Sequence, residues 1–378
     1  MALESDSLLD WLEVDLGAVV HNFRVARRAA GEGVGVFPVV KADAYGLGAV
    51  KIALALEAEG AEGFCVALVE EARELRQAGI RRPIALLSAV EPGLESEVGA
   101  LGLEPVIHRL EDARRLHDAL PEGRSAQVHL KVDVGMGRLG FYPEEIPEAL
   151  DGLERLPRLR LVSLVGHLAC ADEPQRPENG EQIRRMEALM AHWAVDRRLL
   201  SASLANSAGV MAHPGARFDW VRPGIMLYGA SPFYPARRGE ADGLRPVARW
   251  RGRILQVREM AAGTPVGYGH GFTTQRPTRL AIVRAGYADG YNRLLSGRGS
   301  ALLHGTRVPV AGRVCMDLLA LDITDAPPAQ AGEAVTLLGR DGPAEIPVEE
   351  MASWLDTIPY EIFCRLGHRV RRLHLPPT

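Results

Sequence analysis

Eight short apolar runs, set apart by polar stretches with helical patterning, restrict this chain more than any other feature. They are VFPVV ahead of Lys41, Phe64–Leu68, Pro83–Ser88, Leu103–His108, Gln127–Asp133, Leu159–Leu168, Ser203–Ser207 and Trp220–Gly229. Between them lie amphipathic segments such as VEEARELRQA over Val69–Ala78 and the stretch Glu181–Leu199. Strand and helix alternating eight times predict a parallel (β/α)8 barrel of the TIM type, because only a sheet covered on both faces needs runs this continuously apolar. A polar, glycine-bearing linker over Arg237–Arg245 ends the pattern. Beyond it the segments Trp250–Val257, Arg279–Arg284, Ser300–Val310, Leu318–Thr324 and Ala334–Leu338 follow one another without crossover helices. That predicts a mostly antiparallel β domain, completed by a short helix at Val348–Leu355 and a strand at Val370–Leu375. The division expected is 11–238 for the barrel and 239–378 for the β domain. The opening segment Trp11–Leu16, which precedes a helix-like stretch at Gly17–Ala30, reads either as a barrel strand or as a partner of the β domain, and the polar stretch before it favours the latter.

Composition removes several function classes. A chain of 378 residues with 47% hydrophobic content is long enough for a barrel and an added domain. A net charge of −4 with no basic block leaves no nucleic-acid footprint. No apolar run approaches a membrane span, and the first residues, MALESDSLLD, are acidic where a signal peptide is basic, so a cytoplasmic protein is expected. The cysteines Cys65, Cys170, Cys315 and Cys364 have neither CxxC spacing nor scaffold density; they read as free thiols, and no metal is expected.

Chemistry gathers at the ends of the runs. The chain holds only three lysines, Lys41, Lys51 and Lys131, among 44 lysines and arginines. Arginine keeps its proton in a protein, whereas a lysine amine can become neutral and form an imine or take a proton from carbon. Lys41 ends the first run in VVKADAYGLG. In a barrel of this kind chemistry collects at the strands' C-terminal ends, which here carry Lys41 and Tyr45, Lys131 with Asp133, His167, Asn206 with Ser207, and Arg222 with Gly224 and Ile225. Ser207 at a helix start, with the backbone N–H groups of Gly224 and Ile225, matches a phosphate cradle after strands seven and eight. Each signal alone has an ordinary reading: an N-cap, a satisfied core histidine, a surface charge, a salt bridge. Together, an imine-forming lysine, a phosphate cradle and an arginine near the ring position suggest pyridoxal 5′-phosphate.

Here the chain strongly resembles the alanine racemase family, from about Trp11 to Arg372. The motifs that carry the resemblance are VVKADAYGLG, KVDVGMGRLG, GHLACAD, LANSAG, VRPGIMLYG, VGYGH, AGYADG, GRVCMD and IPYEIFCRLG. The resemblance implies an N-terminal barrel, a C-terminal β domain and an isomerase that interconverts L- and D-alanine for peptidoglycan precursors. It makes Lys41 the cofactor lysine and the base serving the D enantiomer. Tyr268 becomes the base serving the L enantiomer, reaching the site from the second subunit of a homodimer. Tyr45, Ser207, Gly224, Ile225 and Tyr360 would hold the phosphate, Arg222 would donate to the pyridine nitrogen, and His167 would support the ring. Arg138 and the backbone N–H of the partner's Met316 would meet the substrate carboxylate, and Lys131 matches a lysine that many members carry as a carbamate.

Two opposed bases suit the reaction, since inversion removes a proton from one face and delivers one to the other. A tyrosine acts as a base only beside cations, for which Arg138 or Arg222 would serve. Many members have a histidine where this chain has Ser203, so the setting of Arg222 differs; Gly267 and Val134 are smaller departures. Competing readings are a racemase of broader amino-acid range, a non-catalytic barrel that carries the cofactor, and a related decarboxylase. The β domain with Tyr268 and Met316 argues against the second of these, and Arg222 against the third.

Overall fold

The computed structural model describes residues 7–194 and 201–376, so the end of the helix expected over Glu181–Leu199 lies outside the described residues. The chain divides into two compact units, one made of Val19–Leu227 with Ser231–Phe233, the other of Met1–Ala18, Tyr228–Ala230 and Tyr234–Thr378. The first strand, β1 (Asp10–Asp15), belongs to the second unit. The barrel-bearing unit begins at Val19, inside the first helix, Leu16–Ala30.

Eight parallel strands form the first unit: β2 (Gly35–Val36), β3 (Phe64–Val66), β4 (Ile84–Leu86), β5 (Glu104–Ile107), β6 (Ala126–Lys131), β7 (Leu159–Val165), β8 (Ser201–Ser203) and β9 (Trp220–Val221). From β3 to β8 they pair in chain order, and β9 pairs with β2. Isolated hydrogen bonds outside these ladders join the remaining edges. The Val40 N–H donates to the Cys65 carbonyl and the Cys65 N–H to the Pro38 carbonyl, both at 2.9 Å, and the Arg222 N–H donates to the Ala205 carbonyl at 3.0 Å. The ring closes, which removes every exposed sheet edge. The ladders are shorter than the apolar runs for a local reason: Pro38 and Pro223 bring no N–H to the first and last strands. After Pro223 the chain curls into a 3-10 turn, Ile225–Tyr228, where a strand was expected to continue to Gly229. Outside the ring, Phe23, Leu56, Leu75, Leu116 and Leu153 are buried on five different helices, each contributing roughly 1.5–3 kcal/mol of burial.

Strand alternation sends every second side chain into the barrel. One interior layer is polar: His129 Nδ1 lies 2.6 Å from Ser163 Oγ, Glu104 Oε2 lies 3.3 Å from His129 Nε2, and the His129 ring sits 5.3 Å from that of Trp220. The next layer toward the strands' C-terminal ends carries the candidate site.

The second unit is a nine-stranded sheet with one short separate hairpin. Its long strand β10 (Ala248–Met260) carries two bulges and serves different partners along its length. The others are β11 (Pro265–Val266), β12 (Phe272–Thr273), β13 (Thr278–Arg284), β14 (Ser300–Leu303), β15 (Thr306–Pro309), β16 (Leu318–Asp322), β17 (Ala334–Asp341), β18 (Ala344–Ile346) and β19 (Arg371–Leu375). The sheet order is β15-β14-β17-β10-β1-β19, with β13 on β10 and β16 on β13. All pairs are antiparallel except β1 with β19. The segment read as one strand over Ser300–Val310 is a hairpin, turned by His304 and Gly305 at φ 50° and 74°, the positive pair a type I′ turn needs. Helices at Val348–Trp354 and Pro359–Cys364 precede the last strand, the second of them unread in the sequence.

Candidate active site at the barrel mouth

Lys41 follows Val40 directly at the rim, where the sequence puts it, but the chain beyond it does something the sequence does not announce. Ala42, Asp43, Ala44 and Tyr45 all take left-handed backbone angles, with φ between 51° and 58°. Each costs an L-residue about 1–2 kcal/mol, so the turn persists only because its surroundings fix it. Asp43 Oδ1 accepts from the Ala49 N–H at 2.7 Å, and the Asp43 carbonyl accepts from the Gly48 N–H at 2.9 Å. The decisive group is Glu71, on the helix Val69–Gln77. One of its oxygens accepts from the Ala42 N–H at 2.6 Å; the other accepts from the Ala67 and Leu68 N–H groups at 2.7 and 3.1 Å. A single carboxylate thus ties the turn that carries Lys41 to the end of the neighbouring strand.

The left-handed turn brings Tyr45 under the last strand. A Cβ on Gly224 would lie 2.5 Å from the Tyr45 hydroxyl oxygen, so only glycine fits. The Gly224 N–H donates to Ser207 Oγ at 2.8 Å, and Asn206 caps the short helix Ser207–Ala212 by accepting from the Gly209 N–H. Ser207 and Ile225 are buried beside them. Hydroxyls and backbone N–H groups without a carboxylate form a donor set that fits a phosphate.

Arg222 is buried beneath this cradle. It donates to Ser203 Oγ, to the Gly166 carbonyl at 2.7 Å and to the Leu204 carbonyl at 3.4 Å, and its guanidinium lies 5.5 Å over the Trp220 ring. The hydroxyl of Ser203 thus helps to hold Arg222 in place. Burial lowers its pKa to about 10, which leaves it charged at neutral pH.

Lys131, the last residue of β6, is buried, and its ammonium lies 3.3 and 3.4 Å from the Val165 and Val132 carbonyls. Desolvation, then the charge of Arg222, push its pKa down to about 7, with Asp133 opposing and Arg138 adding to the shift. The loop after β6 folds back over it. Phe141 donates its N–H to the Lys131 carbonyl at 3.0 Å, and Gly140 packs so closely that a Cβ would sit 2.6 Å from Lys131 Cγ. Asp133 shapes this loop by accepting from the N–H groups of Gly135, Met136 and Arg138 at 2.8, 2.7 and 2.9 Å. Arg138 itself is exposed. His167, past the end of β7, has its pKa held well below the usual value by burial and then by Arg222, Lys131, Arg138 and Lys41, so it is a neutral imidazole.

Tyr268, Met316 and Tyr360 belong to the second unit. Tyr268 stands in the turn between β11 and β12 and is 70% exposed; Met316 is 51% exposed. Beneath that turn the Arg313 guanidinium lies so near Gly269 that a Cβ there would be 2.9 Å from it, a cation the sequence reading overlooked. Tyr360 is on the short helix Pro359–Cys364. Glu71, Asp133 and His108 are further rim residues without an assigned role in the sequence reading; the signal available for each was only its place at or beside a strand end.

Among the described residues no cluster of metal-ligating side chains occurs, and no helix is long and apolar enough to cross a membrane. The N-terminal domain profile of alanine racemase matches residues 14–232 and the C-terminal domain profile matches 247–374. The chain is 41% identical to an alanine racemase of Syntrophobacter fumaroxidans over 96% of its length and 97% of the relative's. It is 42% identical to a Pseudomonas putida protein named as a catabolic alanine racemase, over 93% and 95% of the two chains. The crystal structure of a Bartonella henselae alanine racemase with covalently bound pyridoxal phosphate superposes with a TM-score of 0.86, at 32% identity, covering 97% of this chain and 100% of that one.

Proposed function

The chain belongs to the alanine racemase family, isomerases that use pyridoxal 5′-phosphate, and we propose that Lys41 and Tyr268 are its two opposed proton-transfer groups. The observation that carries this reading is the barrel rim: Lys41 on a fixed turn, buried Arg222, and Tyr45, Ser207 and Gly224 packed together. When bound, the cofactor draws electrons from the substrate's α-carbon and makes its proton removable. Tyr45, Ser207, Gly224 and Ile225 would hold its phosphate, and Tyr360 would be a further phosphate ligand. Arg222 would donate to the ring nitrogen, and because a guanidinium gives up no proton it would leave that nitrogen neutral and disfavour stray transamination. The neutral His167 supports the ring without adding a charge.

Lys41 moves the proton on the face of the D enantiomer and Tyr268 on the face of the L enantiomer. Tyr268 and Met316 come from the partner of a homodimer; their high exposure in a single chain supports this reading. Arg138 and the partner's Met316 N–H take the substrate carboxylate. Arg138 needs an anionic partner, and the low pKa of Lys131 supports its conversion to a carbamate by carbon dioxide. The product D-alanine supplies peptidoglycan precursors in the cytoplasm. The catabolic relative supports a second use, the removal of D-alanine, and the same site serves both directions.

The test is α-proton exchange in deuterium oxide with each alanine enantiomer. Tyr268→Ala should slow exchange from L-alanine by about 100-fold or more while sparing D-alanine, the contribution expected of a positioned base. Equal slowing of both enantiomers would sink the two-base assignment.

A further inference from the structure

His108 is 6% exposed just past the C-terminal end of β5, and among the described residues neither ring nitrogen has a hydrogen-bond partner of good geometry. Buried imidazoles are ordinarily bonded, so an orphaned one asks for a missing partner. Its direction follows from the sheet. Glu104 reaches His129 inside the barrel, and alternation therefore turns Val106 and His108 inward as well. Across the parallel ladder Val106 is opposite His129 and Ile107 is opposite Leu130. One step further, His108 and Lys131 are neighbours on the inner face, both buried. The two groups repel as they stand: burial, then the Lys131 charge, lowers the His108 pKa to about 4, Asp112 and the Leu87 backbone offsetting this only in part. The Leu87 backbone approaches the ring, but not with the geometry of a full hydrogen bond.

We propose that His108 positions the carbamate on Lys131 by donating a ring N–H to one carbamate oxygen. The proposal rests on the carbamylation of Lys131 put forward above. In that step the neutral Nζ lone pair attacks the carbon of carbon dioxide, an N–C bond forms, and one C=O electron pair moves onto oxygen. The amine then releases one proton to water. The charge beside His108 changes from positive to negative, repulsion becomes a charge-assisted hydrogen bond, and the orphaned ring gains its partner. His108 is thus a positioning residue that acts through Lys131 on Arg138.

The test measures carbamate directly, by carbon-13 NMR of the holoenzyme titrated with labelled bicarbonate. His108→Phe keeps an aromatic ring and loses the N–H; His108→Leu replaces it should the larger ring not fold, and His108→Gln restores a donor. The Phe or Leu protein should need about 10- to 100-fold more carbon dioxide for half occupancy, the value of one hydrogen bond to a charged group, while the Gln protein stays within a few-fold of the wild type. A carbamate signal whose carbon dioxide dependence is unchanged in both the Phe and Leu proteins overturns the role of His108 alone. A wild type with no carbamate signal at any bicarbonate level overturns the Lys131 reading, and this proposal with it.

Discussion

Asp10 shows what one buried carboxyl does to the stability of a sheet. Its Oδ1 accepts from the Trp250 indole N–H at 2.5 Å, while its Oδ2 has no hydrogen-bond partner among the described residues. Burial raises its pKa to about 7; the Trp250 bond opposes this, Asp289 adds to it, and Arg284 and Arg369 oppose it further. An unfolded aspartate titrates near 4, so the folded chain binds this proton more tightly than the unfolded one. The stability this group contributes is complete below about pH 4 and is lost as the pH rises to about 7. At pH 8 the charge costs at most on the order of 4 kcal/mol. Asp10→Asn keeps the acceptor for the indole and removes the charge. It should raise the unfolding midpoint relative to wild type at pH 8 and not at pH 4, a comparison that thermal denaturation at the two pH values makes directly. A gain of the same size at both would assign the effect to packing.

At the scale of the element, the left-handed turn after Lys41 has the most consequence. Four strained residues hold the lysine's backbone and deliver Tyr45 to Gly224, and the one side chain bonded to Ala42 at the turn's first residue is Glu71. Glu71→Ala should lower cofactor affinity about 10- to 100-fold, the range for losing a hydrogen bond to a charged group, with the midpoint of unfolding changed little because Glu71 is outside the barrel core. Fluorescence titration of the cofactor-free protein checks this. Wild-type affinity in a folded Glu71→Ala protein would show that the turn holds itself. This turn also marks where the sequence stops being legible. Barrel strands buried on both faces must be continuously apolar, so the eight runs could be read, and so could Lys41, Lys131, His167 and Arg222 at their ends. A left-handed run is readable through glycine or asparagine, yet Ala42, Asp43, Ala44 and Tyr45 carry it here, and tertiary bonds from a residue 29 positions away impose it. The hairpin that bears Tyr268 has two residues per strand, too few for alternation to register. His108 ends an apolar run like any core residue, and only the β5–β6 register sets it beside Lys131.

For the whole molecule, the decisive fact is that Lys41 belongs to one compact unit while Tyr268 and Met316 belong to the other, where both are largely exposed. Proton transfer at carbon needs water kept out, so Tyr268, 70% exposed in the single chain, needs a second surface to cover it. If that surface is the rim of a partner's barrel, a two-fold axis builds two sites at once, each taking Lys41 from one chain and Tyr268 from the other. Lys41→Ala and Tyr268→Ala homodimers are then both inactive. Their heterodimer has one site with both defects and one site with neither. After full exchange of an equal mixture about half the dimers are mixed, and each has one working site of two, so activity should return to about a quarter of the wild-type value. Were each site built from a single chain, every site in the mixture would keep one defect and no activity would return. Mass spectrometry of the intact dimers establishes that exchange has occurred, and a mixed population without activity would exclude the shared site.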